Sequence, residues 1–334
     1  MKLSIIIPAY KVENYIEKCI RSLENQDMPA TDYEIIVTND GSPDRCREII
    51  EKLQEEFSNI VLINQENQGV SMARNNAIAI AKGIYILPID PDDYVVPNVL
   101  QTVYQNAVSR DLDVLYLPYE IFDVNGKSIW ETNYSKHKDI LYTGVEGYFQ
   151  ARGFDVKDPD RSWAILYKKT TLDKFGILYP KDVPYLEDGL FLGKVFTVAE
   201  KVGFDNEKFY QRTTRLGSAT NSGLFYTDKA NQGFILAAQD IRKFCETYDF
   251  NRVQQGLINH LMIKYVMLAL MPLVSFGSFK KYIKVTQKIK SLGFSRLASD
   301  GVVEPYRKYA KYYTISPYFF LLLYTKELLF KKIK

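Results

Sequence analysis

Three aspartates, Asp90, Asp92 and Asp93, crowd into four positions at the end of an apolar, strand-forming run, the stretch YILPIDPDDYVVP at residues 85–97. Carboxylates this close repel one another unless a cation or a basic partner offsets them. Asp90 and Asp92, two residues apart at a strand end, can hold a divalent cation through oxygen and leave positions open for phosphate oxygens, as Mg²⁺ and Mn²⁺ prefer. Taken alone, the tripeptide is better read as a solvated acidic turn in which Asp93 caps the next helix. Its company changes the balance. Asp40 in NDGSPD (39–44), and Asn67 with Gly69 in NQENQG (64–69), end two other apolar runs, and PAYKVE (8–13) ends a third.

These clusters need a frame. Over the first hundred residues LSIIIP, YEIIVT, IVLIN and YILPID alternate with the helical patterns YIEKCIRSLENQ, REIIEKLQEEF and SMARNNAIAIAKG. That order predicts βαβ units and an α/β fold with a mostly parallel sheet flanked by helices. Ligands in such sheets sit outside the carboxyl ends of the strands, where all four polar clusters fall. Ser42 reads as the N-cap of a helix beginning at Pro43, and Gly83 as a helix stop. Pro88 lacks a ladder donor, which predicts a sheet edge or a bulge. Residues 112–124 read as one further strand, a short helix is expected near 170–175, another opens at LEDGLF, and KFYQRTTR reads as a strand. Residues 228–276 read as helical throughout, with LMIKYVMLALMPLVSF a buried helix too short to span a bilayer.

Composition narrows the class. The chain has 334 residues, 46% hydrophobic and 25% charged, in the range of globular proteins. Its three cysteines, Cys19, Cys46 and Cys245, lack CxxC spacing, which suits a reducing, cytoplasmic setting, and no secretory signal is read at the start. Two histidines, His137 and His260, leave almost no material for a histidine triad or a zinc site. No GxGxxG follows a strand, which removes dinucleotide enzymes, and the glycine-free loop PAYKVENY argues against nucleotidyl transfer. Charge is polarised: residues 1–200 hold 21 Lys/Arg against 31 Asp/Glu, residues 201–334 hold 22 against 9, and residues 280–334 hold 13 against 3, a net of +10. An acidic working half and a basic tail that meets something anionic are implied, with no nucleic-acid partner expected.

SIIIPAYKVENYIEKCIRSLENQ, EIIVTNDGSPD, NQGVSMARNNAI and YILPIDPDDYVVP, in this order and spacing, resemble glycosyltransferase family 2. The resemblance covers about residues 3–110 tightly and extends to about 220. It implies a GT-A, Rossmann-like domain over 1–222 (1–110 for the nucleotide sugar, 111–222 for the acceptor side), followed by a helical basic region, 223–334. It further implies inverting transfer from a nucleotide sugar, usually a UDP-sugar, with Mn²⁺ or Mg²⁺. Carried onto this sequence, Pro8, Tyr10 and Glu13 line the nucleoside site, Asp40 meets the base and Asn67 and Gly69 belong to the donor loops. Arg74 faces the diphosphate or sugar, Asp90 the ribose, sugar or metal, and Asp92 the metal. Asp188, with Glu187 beside it, is the expected general base for the acceptor hydroxyl. Acids at a helix N-terminus suit its dipole and explain the pair as well. Arg212, Arg215 and Ser218 resemble a segment that closes over the diphosphate, and a basic strand edge is an even alternative. Trp163 and Tyr185 read first as buried anchors and second as sugar-stacking rings. A non-catalytic sugar-nucleotide binder or scaffold is the competing class, and the nucleotide could be guanosine rather than uridine.

The end of the chain, FKKYIKVTQKIKSLG and then SPYFFLLLYTKELLFKKIK, is basic, apolar and aromatic. Such a segment suits peripheral contact with the inner face of a membrane, close to a lipid-linked or glycan acceptor, or packing on the protein or on a second copy in a homo-oligomer.

Overall fold

LSIIIPA, YEIIVTND and YILP are apolar, rich in β-branched residues and too short for helices, and each forms a fully buried strand. This computed structural model describes residues 1–153, 159–214, 227–275 and 278–333. The chain divides into two units, Met1–Lys181 with Val198–Ser218, and Asp182–Thr197 with Ala219–Lys334.

The first unit opens with β1 (Leu3–Ala9), α1 (Ile16–Glu24), β2 (Tyr33–Asp40), α2 (Cys46–Glu56), β3 (Ile60–Gln65), α3 (Val70–Ile80) and β4 (Tyr85–Pro88). It continues through β5 (Tyr94–Val95), α4 (Leu100–Ser109), β6 (Val114–Tyr116), β7 (Tyr119–Phe122), β8 (Ser128–Glu131), α5 (Gly144–Gly153), β9 (Ile165–Lys168) and α6 (Lys169–Lys174). Helix α7 (Glu187–Val198) follows, before β10 (Val202–Phe204) and β11 (Tyr210–Thr213) complete the first unit. Seven strands form one sheet in the order β10-β6-β9-β4-β1-β2-β3, and four form a second, β5-β11-β7-β8. In the large sheet only β9 runs antiparallel to its neighbours. The mostly parallel sheet expected from the alternating pattern is present. Ile16, Cys19, Ile20 and Leu23, at helical spacing on α1, join the core of Ile5, Ile7, Val37 and Leu87.

Four local expectations change. Residues 112–124 form two strands in different sheets, β6 and β7, because Pro118 between them has no N–H to continue a ladder; its carbonyl instead accepts from the Tyr210 N–H at 3.1 Å. Helix α2 starts at Cys46, not Pro43: Ser42 Oγ accepts from the Lys11 N–H and donates to Asp44, and the Asp44 carboxylate takes the Cys46 N–H at 3.1 Å. Gly83 lies beyond the end of α3, and a Cβ there would come within 2.4 Å of the Ser4 nitrogen, so the residue serves close backbone approach. Pro88 closes an interior strand, since β9 pairs with β4 only at Tyr85 and Ile86 and needs no donor from Pro88.

The second unit contains α7, α8 (Asp228–Thr247), α9 (Arg252–Ser275), α10 (Phe279–Ser291), α11 (Tyr306–Ile315) and α12 (Pro317–Ile333). The stretch read as continuous helix over 228–276 breaks before Asn251, whose Oδ1 accepts from the Val253 and Gln254 N–H groups and starts α9. Helix α9 runs through Pro272, and Arg252–Val274 is long and apolar enough to cross a membrane by length and composition, which overturns the short-segment reading. Two thirds of its most apolar window (67%) is buried inside the protein, and α8, α10, α11 and α12 pack around it as the core helix of this unit. Gly193 of α7 admits Leu261 of α9 so closely that a Cβ would lie 2.8 Å from its Cδ1.

Candidate active site

Four loops meet at the carboxyl ends of β1, β2, β3 and β4, adjacent in the sheet in the order β4-β1-β2-β3. Pro8 is buried in β1, and Tyr10, just past its end, is exposed. The loop after β1 is sewn to the loop after β2. Lys11 N–H donates to Ser42 Oγ at 2.7 Å, Glu13 N–H to Asp44 Oδ2 at 3.0 Å, and the Glu13 carboxylate accepts from both the backbone and Nε of Arg45 at 3.1 Å. Burial works to raise Asp44, but its hydrogen bonds with Cys46, Ser42 and the Glu13 backbone hold it down to about 2, so it is a fixed anion here.

Asp40 is buried and organises the next loop. Its Oδ1 accepts from Gln65 Nε2 and from the Gln68 N–H, both at 2.7 Å, and its Oδ2 accepts from the Gly69 N–H at 2.9 Å. Asn67 Nδ2 donates to the Asp40 carbonyl at 3.0 Å. Gly69 has φ +87° and open space where a Cβ would stand, which leaves the backbone at the start of α3 approachable.

The aspartate cluster is resolved by three different means. Asp90 is held by Arg74 of α3, whose buried guanidinium donates to Oδ1 at 2.8 Å and lies 5.0 Å from the Tyr179 ring centre. Asp93 is buried and accepts from Tyr210 Oη at 2.6 Å and from the Thr213 N–H at 2.7 Å. Burial first, then Asp92 and Asp90, push its carboxyl well above the usual range, toward the neutral form. Asp92 is half-buried, and its carbonyl accepts from Thr213 Oγ at 2.5 Å. Asp93 is therefore no helix cap; it fastens the loop to β11. The charge repulsion that suggested a cation is thus largely relieved by the protein itself, through one ion pair and one group driven toward neutrality.

Arg212 lies on β11 beside Thr213, while Arg215 and Ser218 fall outside the described residues. Glu187 and Asp188 form the first turn of α7 in the second unit, one residue beyond Leu186 and close in sequence to Tyr185, which takes φ +64°. That left-handed conformation costs a bulky residue energy and is held only where the surroundings dictate it. Trp163 is a buried anchor: it stacks on Tyr210 at 4.6 Å and meets Tyr119 edge-on.

A family model for glycosyl transferase family 2 matches residues 4–171. The chain belongs to glycosyltransferase family 2. It is 32% identical over 208 residues to an uncharacterized glycosyltransferase, EpsJ, of Bacillus subtilis, covering 62% of this chain and 60% of that protein. It is 28% identical over 224 residues to the poly(ribitol-phosphate) beta-N-acetylglucosaminyltransferase TarS of Staphylococcus aureus, covering 66% of this chain and 37% of that one. The crystal structure of S. aureus TarS 1–349 in complex with UDP-GlcNAc superimposes with a TM-score of 0.72 at 22% identity, over 96% of this chain and 90% of that one. A mannosyltransferase from Pyrobaculum calidifontis, in complex with GDP-Man and Mn²⁺, gives a TM-score of 0.52 at 13% identity over 99% of this chain and 88% of that one. The chain spans about three fifths of EpsJ and less than two fifths of TarS. These likenesses establish a GT-A-like α/β fold followed by C-terminal helices.

In this family 2 chain the donor atoms suit a hard divalent cation. Asp90 and Asp92 offer oxygen only, and among the described residues no group of three or more His, Cys, Asp or Glu converges. Two carboxylates leave most of a six-coordinate shell to be filled by water and phosphate oxygens, which fits a metal that arrives with a nucleotide diphosphate. Two contributors, Tyr210 and Asn75, were missed in the sequence, and Asp93 was read there as a helix cap. Asn75 clasps Tyr179 with two backbone hydrogen bonds of 2.8 Å, fixing the ring beside Arg74. Their partners lie 104 to 120 residues away, beyond any local signal.

Proposed function

We propose that the chain is a glycosyltransferase that moves a sugar, with inversion, from a nucleotide diphosphate sugar, specifically a UDP-sugar, to a hydroxyl of a glycan or lipid-linked acceptor in surface polysaccharide or glycolipid synthesis. One observation carries the reading: the loops after β1, β2, β3 and β4 are cross-linked into a single platform at the end of the sheet, with Asp92 and the Arg74–Asp90 pair at its β4 side. Tyr10 and Glu13 border the nucleoside, and Asp40 acts through the 65–69 loop that it shapes. Asp90, fixed by Arg74, meets the ribose or sugar. Asp92 and Asp90 would hold Mn²⁺ or Mg²⁺, which when bound offsets the charge on the departing diphosphate. Arg212 adds a fork of donors suited to phosphate, with Arg215 and Ser218 as further donors in the same segment of sequence. Asp188 takes the proton of the attacking hydroxyl, with Glu187 as its neighbour. The donor named with TarS, UDP-GlcNAc, supports uridine, and the polyol-phosphate acceptor in the name of that relative supports a surface polymer.

The test is release of UDP and transfer of radiolabelled sugar from a panel of UDP-sugars to membrane glycolipid and teichoic acid fractions. Transfer that falls at least about a hundredfold in Asp188→Asn, with UDP affinity unchanged, is expected from loss of a general base. UDP binding with no turnover on any acceptor would favour the scaffold reading.

A further inference from the structure

Helix α12 has two unlike faces. Phe320 and Tyr324 are buried, stack on each other at 5.5 Å and meet Tyr309 of α11 edge-on, while Glu327 accepts from Tyr309 Oη at 3.1 Å and pairs with Lys308 at 2.6 Å. The opposite face carries Tyr318, Leu322, Leu329 and Phe330, each at least 57% exposed, at spacings of 4, 7 and 1 that bring them to one side of the helix. Phe319, Thr325 and Lys326 complete that side, and exposed Ile315 leads into it from α11. A monomeric soluble surface rarely lines up so many large apolar side chains.

Charge identifies what covers this face. Residues 280–334 hold 13 Lys/Arg against 3 Asp/Glu. Lys280, Lys284, Lys288 and Lys290 are exposed on α10, and Lys311 and Lys326 on α11 and α12. Two copies meeting face to face would bring two such cationic segments together, which is unfavourable, whereas anionic headgroups are drawn to them. Lys326 and Glu327 interrupt the apolar run of α12, which suits a helix lying in the interface with its apolar side chains among the acyl chains. We infer that the outer face of α12, together with the exposed lysines of α10, α11 and α12, seats the protein on an anionic phospholipid surface.

Flotation of the full chain with liposomes tests this without reference to sugar transfer. The expected result is capture by vesicles containing about one third phosphatidylglycerol, at least about tenfold stronger than by pure phosphatidylcholine, and weakened by salt. Leu322→Glu with Leu329→Glu should lower the partition at least about tenfold, and Lys326→Glu several-fold; all three sites are on the surface, so circular dichroism should be unchanged. No capture, equal capture by neutral vesicles, or unaltered capture of the Leu322→Glu/Leu329→Glu variant would overturn the inference. A dimer in sedimentation velocity that these substitutions dissociate, with no vesicle binding, would also overturn it and assign the face to a second copy.

Discussion

Asp93→Ala removes the acceptor of two donors at once, Tyr210 Oη at 2.6 Å and the Thr213 N–H at 2.7 Å. Tyr210 is almost wholly buried, so its hydroxyl finds no water in exchange. Each buried donor left unpaired costs about 1–3 kcal/mol, and relief from burying the carboxyl returns part of that, so a net loss of about 2–4 kcal/mol is expected. Asp93→Asn keeps one acceptor oxygen and should recover about half. The pH dependence has a definite sign. A carboxyl pushed up in the folded state contributes stability that is present below the unfolded value, near 3.8, and is lost as the pH rises through the folded value. Asparagine does not ionise, so Asp93→Asn should gain on the wild type as the pH rises from 4. Urea unfolding followed by tryptophan emission reads this unit, because both tryptophans, Trp130 and Trp163, lie in it and Trp163 stacks on Tyr210. A loss below about 1 kcal/mol for Asp93→Ala at neutral pH would refute the fastening role.

Arg74→Met leaves the Asp90 carboxylate without its 2.8 Å partner and should weaken UDP binding at least about tenfold by calorimetry, with Arg74→Lys intermediate because one ammonium replaces a planar fork. Gly83→Ala drives a methyl against the backbone of Leu3 and Ser4 and should cost at least about 2 kcal/mol in the same urea assay, since the peptide of a buried strand cannot yield. Asp44, held at about 2, lends stability above its unfolded value near 3.8 that is lost as the pH falls through about 2. Asp44→Asn should therefore be less stable than wild type at neutral pH, and thermal melts of the two should converge in strong acid.

The parallel strands and the four loops were legible because each is a local pattern: a short apolar run ending in a polar cluster. What the loops do to one another was not. Ser42 reads as a helix cap and Glu13 as a nucleoside contact, yet with Asp44 they tie one strand end to the next, a use visible only when β1 and β2 lie side by side. Asp40 reads as a ligand contact and is found holding the 65–69 loop by three hydrogen bonds. The insertion of antiparallel β9 between β4 and β6 leaves no trace in Ile165–Lys168, because register is set by partners far away in the chain. Helix α7, expected on the acceptor side of the first domain, groups with the C-terminal helices, and the packing of Gly193 under Leu261 depends on a contact 68 residues distant. Length misled once as well: the apolar segment of α9 seemed short because Lys264 and Pro272 were taken to interrupt it, whereas the helix continues through both.

Calorimetric titration with UDP, with and without Mn²⁺, on the wild type and on Asp92→Ala addresses the central claim, that the platform at the ends of β1 to β4 holds a nucleotide diphosphate through Asp92. Binding that strengthens with Mn²⁺ and loses that gain in Asp92→Ala is the predicted result. Absence of UDP binding under either condition, or binding indifferent to both the metal and the substitution, would contradict it, and a parallel titration with GDP would show whether another nucleotide takes the place.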